Sequence, residues 1–214
     1  MHKIVFATGN AGKMKEIRMI LAGLRIGGQP AEILSMKEAG LAIDIVEDGK
    51  SFTENAVIKA QAVARAAKEA GEEAIVLSDD SGLEIDYLNK EPGIYSARYL
   101  GEDTSYHEKN GNLLERLLNV PEEKRTARFV CAIACTLPDG QTLTELATVE
   151  GWIGYEEKGE NGFGYDPIFM VPEFQRSTAE LTEEEKNKIS HRGKALRAMK
   201  RQLSAIYGTK KECI

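Results

Sequence analysis

Glu72 to Leu88 reads EEAIVLSDDSGLEIDYL. The apolar runs Ala74-Ile75-Val76-Leu77 and Leu83-Glu84-Ile85 read as strand-like pieces, with Asp79, Asp80, Ser81 and Gly82 between them. The composition of SDDSG favours a turn in which one aspartate bonds nearby amides. Two adjacent carboxylates at the end of a buried strand are costly unless a cation meets them. The fold must therefore bring positive charge to this stretch.

Upstream, KIVFA (3–7) is a short apolar strand that runs into TGNAGK, and Met14, Ile17, Ile20, Leu21 and Leu24 then follow helical spacing. Thr8 to Lys13 is thus a strand-to-helix turn. GGQP punctuates the chain and AEILSM predicts a second strand. Ser51 followed by Glu54 predicts a capping box, opening an alanine-rich helix that Gly71 stops. Downstream, a helix is predicted over Ser105 to Leu118. TARFVCAIACTL and QTLTELATVEGWIG, joined by PDG, predict a long hairpin. A glycine-rich stretch, KGENGFGYDPIFMV, precedes two further helices, one capped by Thr182 with Glu185 and one amphipathic from Ala195 to Ile206. This alternation implies an α/β fold, a mixed twisted sheet flanked by helices, in a single domain.

The 214 residues suffice for a sizeable core, and 42% hydrophobic with 29% charged residues is ordinary globular composition. No apolar run approaches a membrane span, so no membrane partner and a cytoplasmic setting are expected. A net charge of −6 argues against a nucleic-acid polymer as partner. Cys131, Cys135 and Cys213 lack CxxC spacing, which argues against a disulfide framework or a zinc site.

Five groups of residues carry chemistry. In ATGNAGKM a helix opening after a Gly/Asn turn aims backbone amides at one spot, and Lys13 adds a full charge there. It is not a Walker A loop: two residues separate Gly9 from Gly12-Lys13, and Met14 stands where Ser or Thr holds magnesium. The plain alternative is a sharp turn whose glycines only make room. Asn55 and Lys59 share one helix face, while Phe52, Ala56, Val63 and Ala67 form a core stripe. Glu47 and Asp48 sit in a loop just upstream. The aspartate pair offers the carboxylate oxygens that magnesium takes, and a carboxylate beside a water can accept its proton. Phe163, Tyr165 and Asp166 in GENGFGYDP suit a planar base, and Lys186, His191 and Arg192 cluster in EEKNKISHRGKA, where the plain reading is a solvated charged face.

TGNAGK, SFTENAVIKA, SDDSGLEID with PGIYSARY, GFGYDPIF and AELTEEEKNKISHRGKAL occur together and in this order. As a set they closely resemble the inosine/xanthosine triphosphate pyrophosphatase family, over residues 3 to about 200. The resemblance implies a mixed α/β sheet with two lobes and a central cleft, usually in a homodimer. It also implies hydrolysis of ITP, dITP or XTP between the α and β phosphates, with magnesium required and manganese as a substitute. Carried over by motif, Thr8, Gly9, Asn10, Ala11, Gly12 and Lys13 hold the phosphates, and Lys59 and Asn55 join them. Asp80 is proton acceptor and metal ligand, with Glu47 as the second metal-side carboxylate. Ser81 touches substrate, and Phe163, Gly164, Tyr165, Asp166, Lys186, His191 and Arg192 form the base pocket.

The residue types suit that chemistry: lysines and a helix end supply positive charge where the transition state gathers negative charge. His191 and Arg192 can donate to the C6 carbonyl of a deaminated purine, whereas adenine presents an amino group there. A related pyrophosphatase for another base, or a regulator that holds a nucleotide without cleaving it, is the alternative.

Overall fold

The computed structural model describes residues 2–208; Cys213 lies outside them. The described residues fall into two compact units, one comprising the chain up to Asp80, Ala132–Leu146 and the residues from Ala195, the other Ser81–Cys131 and Ala147–Lys194.

In the first unit β1 (His2–Phe6) leads into α1 (Ala11–Ile20), followed by β2 (Arg25–Ile26), β3 (Gln29–Ser35), α2 (Phe52–Glu69) and the start of β4 (Ile75–Ile85). β1 runs parallel to both β3 and β4, with Ile4 opposite Ile33 and Ile75, and β2 pairs antiparallel with β3. Ser51 caps α2 by accepting from the Glu54 amide, but the Glu54 carboxylate turns to the Lys50 amide, so only half of the expected box forms. The other end closes as a Schellman motif: Gly71, at φ +78°, donates to Lys68 O, and Glu72 donates to Ala67 O. The core joins Val5, Ala7, Val63, Ala74 and Val76. Leu41, Ile43 and Ile45, alternate residues of an irregular stretch, pack against it and carry the chain to Glu47.

The second unit takes over within β4 and holds α3 (Tyr106–Arg116), the start of β5 (Thr126–Thr136), most of β6 (Thr142–Ile153), β7 (Phe169–Val171), β8 (Arg176–Ser177), α4 (Glu183–Ile189) and the first turn of α5 (His191–Tyr207). The first unit therefore carries the ladder β2-β3-β1-β4-β5-β6, and the second β4-β5-β6-β7-β8. The predicted hairpin is present. Its turn closes through Leu137 N donating to Gln141 O at 2.8 Å. Leu83, Ile85, Leu113, Phe129, Ile153 and Phe169 build the second core, each fully buried aliphatic side chain contributing about 1.5–3 kcal/mol.

One expectation is overturned. SDDSG is not a turn but the middle of a single eleven-residue strand, β4. Adjacent strand residues point to opposite faces, so Asp79 and Asp80 are each met separately, by different lysines, and the ladder need not break. Cys131 and Cys135 are buried free thiols of β5, and burial pushes the Cys135 thiol up to about 12. Among the described residues, no helix is long and apolar enough to cross a membrane.

Candidate active site

The strand-to-helix turn after β1 is built as the sequence predicts. Asn10 caps α1, its Oδ1 accepting from the Lys13 amide at 2.9 Å, while Asn10 N donates to Thr8 Oγ1 at 3.2 Å. The first intrahelical bond runs from Met14 N to Asn10 O, so the Ala11 and Gly12 amides stand at the positive helix end. Lys13 Nζ lies 3.1 Å from Asp79 Oδ1, and the Asp79 side chain is fully buried. At Gly9 no protein atom requires the absence of a side chain. A Cβ added at Gly9 would meet nothing within 4 Å.

Lys59 projects from α2 into a carboxylate cluster. Its ammonium lies 3.1 Å from Asp80 Oδ1 and 2.9 Å from Glu47 Oε2. Burial opposes the charge on Lys59, but Asp80, Asp79 and Glu47 outweigh it and hold the ammonium's pKa above its ordinary value. Burial is also the chief influence on Asp80, raising its carboxyl above the ordinary carboxylate range although Lys59 and Asn55 pull the other way. A lysine on an amphipathic helix is ordinarily solvated; this one is not.

Asn55 supports the carboxylate cluster. It is completely buried, its Oδ1 accepts from Gly49 N at 2.9 Å, and its Nδ2 donates to Asp80 Oδ2 at 3.2 Å. Both ends of the amide are used within the protein. Asn55 braces Asp80 and the loop after Glu47.

Thr8, Gly9, Lys13, Glu47, Lys59 and Asp79 line one cavity of about 470 Å³ in the first unit. A larger cavity, about 580 Å³, lies around Arg65, Lys68 and the Pro138–Gly140 turn; none of the lysine–carboxylate groups reaches it, so its size carries no functional weight. Glu47 and Asp80 both bring hard oxygen donors to the Lys59 ammonium, and Asp80 is the deeper of the two. Among the described residues, no three His, Cys, Asp or Glu side chains gather into a cage. One or two carboxylates suit magnesium, which completes its shell with water and phosphate oxygens.

In the second unit Lys186, His191 and Arg192 are 7%, 7% and 2% exposed, which rules out the solvated face. Lys186 Nζ lies 2.7 Å from Asp166 Oδ2 and sits over the Phe163 ring, 4.7 Å from its centroid. Asp166 also accepts from Phe163 N at 2.8 Å and from Thr178 Oγ1 at 2.8 Å. Arg192 lies 5.6 Å from the same ring centroid and donates to Ser81 Oγ at 3.0 Å. The His191 ring stacks on Phe129 at 4.9 Å, and Ser190 Oγ accepts from Gly193 N, capping α5. Tyr165 is a core residue whose hydroxyl donates to Ser96 O at 2.7 Å, and burial raises its pKa. A planar aromatic face with cations over it, beside a carboxylate, is a fitting cradle for a nucleobase.

Residues 4–202 match the Ham1 family. The chain belongs to that family. A dITP/XTP pyrophosphatase of Exiguobacterium sibiricum is 46% identical over 206 residues, covering 96% of this chain and 99% of its own. The solved Ham1 protein of Staphylococcus aureus matches at TM-score 0.81 and 39% identity, over 95% of this chain and 99% of that one. A HAM1 protein from Coxiella burnetii gives 0.83 and 39%, over 96% and 100%.

Asp79 and Ser96 support this candidate site in ways that sequence reasoning did not specify. Asp79 anchors Lys13, and Ser96 holds the Tyr165 hydroxyl. The signal for Asp79 was present in its adjacency to Asp80. Ser96 lies within PGIYSARY, but nothing local marks its carbonyl, because the partner lies 69 residues away.

Proposed function

We propose that this Ham1 chain hydrolyses deaminated purine nucleoside triphosphates, ITP, dITP and XTP, to the monophosphate and pyrophosphate. The observation that carries the reading is the Lys59–Asp80–Glu47 cluster beside the Thr8–Lys13 cradle. A protein that merely holds a nucleotide needs no buried carboxylate fit to accept a proton. The name borne by the Exiguobacterium relative points to the same substrates.

The helix-end amides of Ala11 and Gly12, with Lys13, bind phosphate oxygens. Asp79 keeps the Lys13 ammonium in place, and Lys59 offsets charge that develops on the bridging and leaving oxygens. Asp80 takes the proton from the attacking water. Its burial makes it a stronger base than an exposed aspartate. Asp80 and Glu47 would hold magnesium, with manganese as a substitute, and that ion supplies charge neutralisation and a more acidic water. In the second unit Phe163 and Tyr165 shape the base site, Asp166 and Lys186 order it, and His191 and Arg192 donate to the C6 carbonyl. A buried site built on such donors discriminates against a mismatched base by up to about 10⁴-fold. The working form is a homodimer acting on the cytoplasmic nucleotide pool.

The purified protein is tested on ITP, XTP, dITP, ATP, GTP and TTP with and without magnesium. Monophosphate and pyrophosphate from the deaminated purines support the reading. Orthophosphate release, or tight binding without turnover, overturns it.

A further inference from the structure

Helix α3 carries a polar face that the mechanism above does not use. Asn110 is 1% exposed, and its Nδ2 donates to Glu157 Oε1 at 2.7 Å and to Gly164 O at 3.3 Å. The orientation of the amide follows from its neighbours: both are acceptors, so the nitrogen must face them. In consequence Asn110 Oδ1 is buried with no partner among the described residues. A buried acceptor without a donor is costly, and an apolar side chain would avoid that cost. The second oxygen of Glu157 lies 2.7 Å from His107 Nδ1, three residues earlier on the same helix. Tyr106 meets Tyr165 edge-on at 5.3 Å, and a Cβ added at Gly164 would lie 3.6 Å from the Tyr106 ring. Lys109, equally buried, donates to Ala97 O at 2.7 Å, next to the Ser96 carbonyl that receives the Tyr165 hydroxyl. The chain just after Phe163 is therefore held at the Gly164 carbonyl by Asn110, and the Phe163 amide is held by the Asp166 carboxylate that Lys186 pairs.

We propose that Asn110, braced by Glu157, is a positioning residue for base selection: it fixes the Gly164 carbonyl and so the angle at which Phe163 meets the base. This rests on reading Phe163 to Asp166 as the base site.

The test compares Asn110→Ala, Asn110→Asp and Glu157→Ala with the wild-type chain in steady-state kinetics on ITP and ATP with magnesium, alongside thermal melts. The Asn110 variants should raise KM for ITP about tenfold, the scale of one lost buried hydrogen bond. Their kcat should stay within about twofold, and the ITP-to-ATP preference should fall by a similar factor to the KM change. The Glu157 side chain is 30% exposed and outside the apolar core, so Glu157→Ala leaves the core intact and should shift the preference in the same direction, by less; it decides the matter if the Asn110 variants do not fold. A wild-type preference kept by the folded variants, or an equal loss on both nucleotides, overturns the positioning role alone. A wild-type chain that does not turn over ITP overturns the parent reading, and the positioning role with it.

Discussion

The Lys59 ammonium joins two carboxylates, Asp80 at 3.1 Å and Glu47 at 2.9 Å. On the proposed mechanism this pairing compensates the Asp80 charge until the carboxylate takes the proton. Asp80→Asn keeps the size and the Lys59 contact but removes the base. Turnover of ITP should fall at least about 100-fold, the lower end for a lost general base. Thermal stability should fall by about 1–3 kcal/mol at most, because the new amide nitrogen faces a donor, Asn55 Nδ2, while the loss of a buried charge offsets part of that cost. Steady-state rates and a melting curve on the same sample decide; near-normal activity would remove Asp80 from its role.

Lys59→Ala makes the opposite change, leaving buried Asp80 without its ammonium. Removing one partner of a buried pair costs about 3–5 kcal/mol. If Asp80 and Glu47 also hold magnesium, millimolar magnesium should recover part of that loss, raising the melting temperature of the variant more than that of wild type. Equal magnesium shifts in both proteins would argue against these two carboxylates as the ion's ligands.

Gly162 adopts φ +77°, and an added Cβ would lie 2.2 Å from Asp166 Oδ2 and 3.2 Å from Lys186 Nζ. Gly162→Ala should push Asp166 off Lys186 and loosen Phe163, whose amide donates to the same oxygen. KM for ITP should rise about tenfold or more, with about 1–3 kcal/mol of stability lost to backbone strain. Titration of nucleotide binding together with urea denaturation separates the two effects.

Much of this architecture is legible in local pattern. The alanine-rich α2, the β5–β6 hairpin, the cap at Thr182 and the turn at Thr8–Lys13 each depend on residues within a few positions of one another. The misreading of SDDSG has a physical cause: its composition is that of a turn, and the lysines that make it tolerable in a strand lie 66 and 21 residues away. Lys186, His191 and Arg192 look like a solvated face for the same reason, since Phe163, Asp166 and Phe129 reach them only through the fold. Asn55 and Lys59 share one face of α2 as their spacing predicts, but the bonds from Asn55 to Gly49 and Asp80 are set by the fold and leave no local signal.

Asp86 predicts how the second unit responds to acid. Burial pushes its carboxyl up, but hydrogen bonds from Lys90, Thr126 and Arg128 outweigh this and bring it from 3.8 to about 2. A depressed folded-state value means that the stabilisation is complete above the unfolded value and is lost as pH falls through the folded one. Stability should therefore drop between about pH 4 and pH 2. Asp86→Asn, less stable at neutral pH, should lose less across that window. Glu38, also held near 2, chiefly by the Ser35 amide, contributes the same slope in both proteins. Denaturant melts at neutral pH, pH 4 and pH 2.5 test the difference, and parallel losses would show that Asp86 does not set the acid limb.

Gly9 separates space kept for substrate from space kept for the fold. Its φ is not positive, and a Cβ would meet no protein atom within 4 Å, so alanine there introduces no clash. Replacing glycine at an unstrained position lowers the entropy of the unfolded chain and adds about 0.4–1 kcal/mol of stability. Yet Gly9 lines the same cavity as Lys13 and Lys59, and a phosphate group drawn to the α1 amides would come up against the new methyl. Gly9→Ala should therefore melt at or slightly above the wild-type temperature while KM for ITP rises about tenfold, because a misplaced phosphate forfeits roughly one charge-assisted hydrogen bond. Calorimetric binding of a non-hydrolysable ITP analogue, measured beside the melt, reads both quantities. Unchanged affinity in a stable Gly9→Ala protein would mean that the phosphates bind elsewhere in the first unit.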